Sequence, residues 1–305
     1  MSLLNFMRRP EAAPVPGHDA GAIAALIDGF SIEVMPKTAA KVEDFGALLP
    51  KGTRVYIAHI EGTPFEEVIE TAARLAREGF TPMPHFPARN IPDLATLKEW
   101  IARLKGEADL REALVLAGGA KTPAGEFHSS IQLLESGVFG DFDRVHVAGH
   151  PEGNRDIDRD GGTRAVDEAL FWKQRYAETT DAAMALVTQF VFDAEAVIQW
   201  EARLRQNGVT LPVHVGIAGP AKLQTLIKFA LACGVGPSVG VLQKRAKDVT
   251  KLVTPQEPDD VLAALARHRA ANPESLIETI HFFPLGGIKA NAEWTHRFAP
   301  MKDAP

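Results

Sequence analysis

Short apolar runs and amphipathic stretches take turns along most of the chain. From Phe30 onward the runs are FSIEVMP, RVYIAHI, TPMPHFPA, EALVLAGG, RVHVAGHP, ALVTQFVF, PVHVGIAG and ETIHFFPLGG, the last ending near Gly287. Each is rich in β-branched or aromatic residues and too short for a soluble helix, which predicts eight strands, the longest (AAMALVTQFVF) buried on both faces. Between the runs, apolar residues recur at helical spacing: Val68, Ala72, Leu75 and Ala76 mark a helix over 64–79, with Gly79 as its stop. The same period predicts helices over 94–105, 163–178, 194–207, 220–233 and 258–271.

Strand–helix alternation repeated eight times within about 250 residues predicts an α/β fold, a (β/α)8 TIM barrel in a single domain. The alternative, a doubly wound sheet, would carry a G-x-G-x-x-G turn after its first strand, and FSIEVMPKTA has none. No internal repeat and no Gly/Ser linker divides the chain. Residues 1–28 are Pro/Ala-rich with one short helical pattern over 20–27 and read as an N-terminal arm on the surface. Residues 29–287 form the barrel, and 288–305 a C-terminal helical tail. The apolar tail residues Trp294 and Phe298 either cap the barrel base or meet another subunit, which leaves a homo-oligomer open.

Composition narrows the class. The 305 residues are 46% hydrophobic and 24% charged, ordinary values for a folded globular chain. A formal charge of −6 speaks against a nucleic-acid partner. Cys233 is the single cysteine, so neither an internal disulfide nor a thiolate zinc cluster is available, and a reducing cytoplasm fits. The opening MSLLNFMRRPEAAPVPG has its apolar residues ahead of its arginines, the wrong order for a secretory signal. No apolar run approaches the roughly 20 residues that span a bilayer, so no membrane partner is expected.

A barrel places its chemistry where its strands end. Strand one carries Glu33. Strand two leaves His59 and Glu61, strand three His85 and Arg89, and strand four only Ala117-Gly118-Gly119. Strand five ends in His150-Pro151-Glu152-Gly153-Asn154, strand six in Thr188-Gln189, and strand seven in GIAGP. Glu33 is the best general-acid candidate, because desolvation in a barrel mouth raises a carboxyl pKa. A structural ion pair with Arg89 or another cation is the competing role. His85 suits a base, a metal ligand or a satisfied barrel histidine. His59, His85, His146, His150, His214 and His281 all fall on or beside predicted strands, yet without an H-x-H or H-E-x-x-H pattern no metal site is expected. GIAGP leading into a helix at Pro220 makes an anion site at that helix start.

Taken in order, FSIEVMP, TPMPHF, LVLAGG, AGHPEGN, VTQFVFD, HVGIAGP and IHFFPLG resemble the signature blocks of the methylenetetrahydrofolate reductase family over nearly the whole chain. The resemblance implies a (β/α)8 barrel holding FAD at its mouth. It implies an oxidoreductase that interconverts 5,10-methylenetetrahydrofolate and 5-methyltetrahydrofolate, with NADH or NADPH as the other redox partner. Glu33 matches the family's general acid, and Gln189 the glutamine that hydrogen-bonds the pterin. Leu223 stands where a phenylalanine often covers the substrate. His85 matches a histidine beside the flavin. His59, Gly118, Gly119 and Ser129 fall in cofactor-contact blocks. His150 replaces a common tyrosine and Asn154 a common histidine in the block that wraps the cofactor. Glu168 aligns with an acidic residue near the adenosine ribose, and Arg175 with a basic residue near the FAD phosphates.

One departure stands out. The family's strand-four block reads Arg-Gly-Asp, whereas this chain has Ala117-Gly118-Gly119. Losing a negative charge beside the isoalloxazine favours the anionic reduced flavin and raises its potential. That departure also lends weight to a flavin-free folate enzyme, passing hydride directly from nicotinamide or transferring a methyl group. A non-catalytic folate- or flavin-binding regulator fits less well with the retained Glu33 and Gln189.

Overall fold

The computed structural model describes residues 17–233, 240, 242 and 255–298. Residues 1–16 of the expected arm and 299–305 of the expected tail lie outside the described residues.

Eight parallel strands close into a barrel: β1 (Ser31–Val34), β2 (Arg54–Ile57), β3 (Thr81–Pro87), β4 (Glu112–Leu116), β5 (Arg144–Gly149), β6 (Ala183–Val191), β7 (Val213–Ala218) and β8 (Ile277–Phe283). The neighbours are consecutive, and β1 closes on β8 through Ser31 opposite His281. Helices follow the strands close to the expected places, among them Phe65–Arg77, Leu94–Ala108, Arg164–Ala177, Ala194–Gln206 and Asp259–Ala271. Their apolar stripes meet the outer strand faces in one sleeve that buries Val68, Leu104, Val197, Trp200 and Leu265. Inside the barrel, a small apolar cluster of Tyr56, Met83, Leu114 and Val187 is surrounded by polar side chains. The main apolar core therefore lies between strands and helices, and the lumen is lined largely by polar side chains.

Two expectations about the ends need correction. The helix Gly17–Ile27 is not a surface arm: Ile23, Leu26 and Ile27 are fully buried. Their spacing makes one apolar face, which packs against Asp259–Ala271 and β8. Arg267 holds Asp19 at 2.7 Å, Arg269 donates to the Ala25 carbonyl, and Thr279 donates to the Leu26 carbonyl. The C-terminal helix Ile288–Thr295 covers the outside of β8 rather than the barrel base, with Trp294 against Phe282 at 5.8 Å between ring centroids.

The segment after β7 also differs. Ala221–Lys222 pairs antiparallel with Pro255–Gln256, so the helix begins at Leu223, not Pro220. A ribbon at that point draws the chain away from a direct strand-to-helix turn. The free N–H groups expected at Pro220 lie instead at the helix start near Leu223.

Candidate active site

The site is organised by an irregularity in β6. Its register with β7 slips between Val187 and Phe190, placing Thr188 and Gln189 in a bulge. The Thr188 hydroxyl donates to the Gln189 carbonyl and accepts from the Gly216 N–H at 2.8 Å. The Phe190 N–H donates to Gln189 Oε1 at 3.1 Å and so orients that amide. Gly216 is required here: a Cβ would strike the Thr188 carbonyl and lie 2.7 Å from the Gln189 carbonyl. The bulge directs Gln189 into a mouth cavity of about 140 Å³ that it shares with His150, Asn154, Arg155 and Cys233.

Glu33 extends from β1 into the lumen, with its side chain 20% exposed. Its Oε2 lies 3.4 Å from Nε2 of His85 and 3.8 Å from Nε2 of His281. Arg89, the expected cationic partner, is elsewhere, donating to the carbonyls of His128 and Ala120. Burial raises the Glu33 pKa, and the nearby His85 pulls against that rise. Burial lowers His85 to about 4 and His281 to about 3. At neutral pH both imidazoles are uncharged, while burial holds the carboxyl above its ordinary range. That is the state of a general acid whose conjugate base would meet two N–H donors.

The other expected site residues divide. His59 is buried after β2, donates from Nε2 to the Thr63 carbonyl, and meets Phe65 and Trp100 edge-on. Burial lowers its pKa, and it lines a second cavity of about 280 Å³ with Arg89, Asn90 and Ala120. His150 lies at the end of β5, with its pKa lowered to about 4 by burial and by Lys173. Asn154 lines the first cavity while its Oδ1 accepts from the Asp156 N–H. Gly119 has open space where a Cβ would stand, a place for close ligand approach. Gly118, at φ +87°, has a packing reason instead, since a Cβ there would lie 2.8 Å from Pro87 Cβ.

Four expected contacts have local partners of their own. Leu223 is fully buried in a cluster with Phe190, Phe192 and Ala218, because the ribbon delays the helix start and turns this residue inward. Ser129 stands at the N-cap of Ser130–Glu135, where Gln132 Oε1 accepts from its N–H. Glu168 is exposed on the helix Arg164–Ala177 and pairs with Arg164 at 3.0 Å. Arg175 is exposed in the last turn of that helix, roughly 16 Å along the axis from its start and toward the barrel base.

These placements bear on FAD. His150 and Asn154 line the cavity beside Gln189, His59 lines the second cavity, and Gly119 leaves open space, placements open to a flat ring system. The dinucleotide half fits poorly among the described residues. The first N–H groups of Arg164–Ala177, a natural diphosphate seat, are taken by Asp158, whose oxygens accept from Ala165 and Val166. Arg89 is committed to carbonyls, and the described cation lining the cavity beside Gln189 is the exposed Arg155.

Sequence reasoning missed the lumen as a unit. Lys173 is 5% exposed, donates to the Ala148 carbonyl at 3.0 Å, and is pushed down to about 8 by burial. Inside the barrel, Ser31, Tyr56, His146 and His214 face inward and are all nearly or wholly buried. The available signal is alternation within single strands: Ser31 with Glu33, Arg54 with Tyr56, and Arg144 with His146 put polar groups on one face at period two. No protein-family model matches the chain.

Proposed function

We propose that the protein interconverts 5,10-methylenetetrahydrofolate and 5-methyltetrahydrofolate by hydride transfer, with Glu33 as the proton donor. The observation that carries this reading is a carboxyl with a raised pKa, flanked by two neutral histidines, in a mouth whose bulge presents Gln189. Gln189 orients the pterin through its amide, and the open side of Gly119 admits a flat ring. Glu33 gives its proton to the bridging nitrogen N10. The bond from N10 to the one-carbon bridge breaks with its electron pair staying on nitrogen, and the iminium at N5 accepts two electrons as hydride. Glu33 is left as a carboxylate, which His85 and His281 stabilise by donating from Nε2. General acid catalysis of this kind contributes about 10²–10⁴-fold.

FAD, if bound, would supply the hydride, drawn from NADH or NADPH, and would rest on His59, His85, Gly119, His150 and Asn154. A second reading is favoured by Asp158 occupying the helix N-terminus and by Arg175 lying at the far end of that helix: hydride passes directly from the nicotinamide to the folate, with no flavin.

An absorption spectrum of the purified protein, before and after FAD, followed by anaerobic 5-methyltetrahydrofolate, tests the two. Flavin bands near equimolar occupancy that bleach with the methyl-folate support the flavoenzyme. A colourless protein that ignores FAD yet oxidises NADH or NADPH with 5,10-methylenetetrahydrofolate supports direct transfer. No turnover in either format refutes both.

A further inference from the structure

A line of polar side chains runs the length of the lumen. At the base, β8 slips register against β7 between Ile277 and Thr279, and the bulged Glu278 bonds His214 Nε2 at 2.7 Å. Glu278 is 52% exposed and His214 only 2%. The His214 ring meets the His146 ring at 4.6 Å between centroids, nearly perpendicular. Nδ1 of His214 and Nε2 of His146 are both buried without a hydrogen-bond partner. His146 Nδ1 bonds the Tyr56 hydroxyl, the Tyr56 ring meets the His281 ring at 4.2 Å between centroids, and Ser31 Oγ bonds His281 Nδ1 at 2.9 Å. His281 Nε2 then faces Glu33 at 3.8 Å. Arg54 and Arg144, both paired with Glu112, surround the lower part.

A polar interior is costly unless its groups are paired, and aliphatic side chains fill most barrels. Packing alone does not account for a line that joins solvent at one end to the acid at the other. We infer that this column returns a proton from the barrel base to Glu33 after each turnover, while bound substrate seals the mouth. With every donor aimed at the mouth, His146 Nδ1–H points to Tyr56, Tyr56 O–H to Ser31, Ser31 O–H to His281 Nδ1, and His281 Nε2–H to Glu33. A proton taken from solvent at Glu278 and His214 leaves His214 Nδ1 for His146 Nε2, directly or over one water. Each group passes on the proton it held, so each bond formed is matched by one broken. One proton enters at the base, and one reaches the Glu33 carboxylate. Histidine suits such a shuttle because one ring nitrogen accepts while the other donates. His281, Ser31, Tyr56, His146 and His214 are positioning residues here, acting on the substrate only through Glu33.

The inference rests on Glu33 being the acid, and two measurements keep the failures apart. The first needs no turnover: in ¹⁵N-histidine protein, NMR reads which nitrogen of each ring bears the proton. The expected pattern is Nδ1–H at His146 and Nε2–H at His281. Exchange of the His146 proton with solvent is expected to slow about tenfold in Glu278→Gln, which keeps an acceptor at the half-exposed base but removes the titrating group. The opposite tautomer at either ring, or unchanged exchange, overturns the column whatever the protein catalyses. The second measurement is turnover with 5,10-methylenetetrahydrofolate. Glu278→Gln is expected to lower kcat about tenfold at constant KM, to enlarge the solvent isotope effect, and to recover with added formate or imidazole. Wild-type turnover matched by the variant in kcat and isotope effect overturns the column and leaves the acid role intact. Aligned tautomers with slowed exchange but no turnover refute the assigned reaction and leave the column standing.

Discussion

Oε2 of Glu33 lies 3.4 Å from Nε2 of His85, two groups whose burial moves their pKa values in opposite directions, up for the acid and down to about 4 for the imidazole. They therefore meet as a carboxyl with its pKa held up by burial and a neutral ring. Glu33→Gln preserves that shape without the proton, so the fold is expected to survive. Turnover falls about 10²–10⁴-fold while folate binding persists. Steady-state kcat together with equilibrium binding of the folate checks this, and wild-type kcat in the variant removes the acid role.

Acid sensitivity follows from the histidines. In the unfolded chain a histidine titrates near 6.5, whereas His85 is lowered to about 4 and His281 to about 3. Above both values the ring is neutral in either state and contributes nothing. As pH falls through 6.5 only the unfolded chain gains the proton, so stability drops until the folded ring titrates. For His85 alone the loss approaches about 3 kcal/mol, at ~1.4 kcal/mol per pKa unit. Urea unfolding at pH 7, 6 and 5 is expected to show a steadily lower midpoint. His85→Gln flattens that slope, and equal midpoints from pH 7 to 5 contradict the argument.

Gly216→Ala tests the bulge in β6. The added methyl meets backbone on both sides, so the strain has no flexible side chain to absorb it. A cost of about 1–3 kcal/mol is expected, the usual range for overpacking. Displacement of Gln189 raises KM for the folate more than it lowers kcat. A variant with normal Tm and normal KM shows that the close approach is not needed.

Leu26 tests the N-terminal helix. It is fully buried on the face that packs against Asp259–Ala271 and β8, and Leu26→Ala leaves a cavity expected to cost about 2–5 kcal/mol. Chemical denaturation measures it. A change within 0.5 kcal/mol, as is usual for surface substitutions, restores the view of this segment as a loose arm.

The strands and helices were legible because their signals are local: two residues for a strand, 3.6 for a helix. The helix at Gly17–Ile27 was legible but its burial was not, because its Ala- and Gly-rich sequence masks a face built from only Ile23, Leu26 and Ile27. Glu33 and Gln189 were legible as strand-end chemistry. The lumen was not, since parity along one strand says nothing of parity on its neighbours. Four of the six strand histidines (His85, His146, His214 and His281) do share the interior. The bulges at Gln189 and Glu278 shift which residues point inward, and no local pattern announces them. Leu223 likewise turned inward through a pairing with Pro255–Gln256, more than thirty positions away in the chain.

The missing side chain at Gly216 also constrains how this sequence can drift. Thr188 supplies the hydroxyl that receives the Gly216 N–H, and the space beside Gly216 is taken up by the Thr188–Gln189 backbone. Neither strand can change its half of the arrangement alone. A larger residue at 216 demands a straightened β6, and a straightened β6 withdraws the amide of Gln189. Positions 188, 189 and 216 thus form one heritable unit, in which an altered ligand preference on this barrel would require coordinated replacement on both strands.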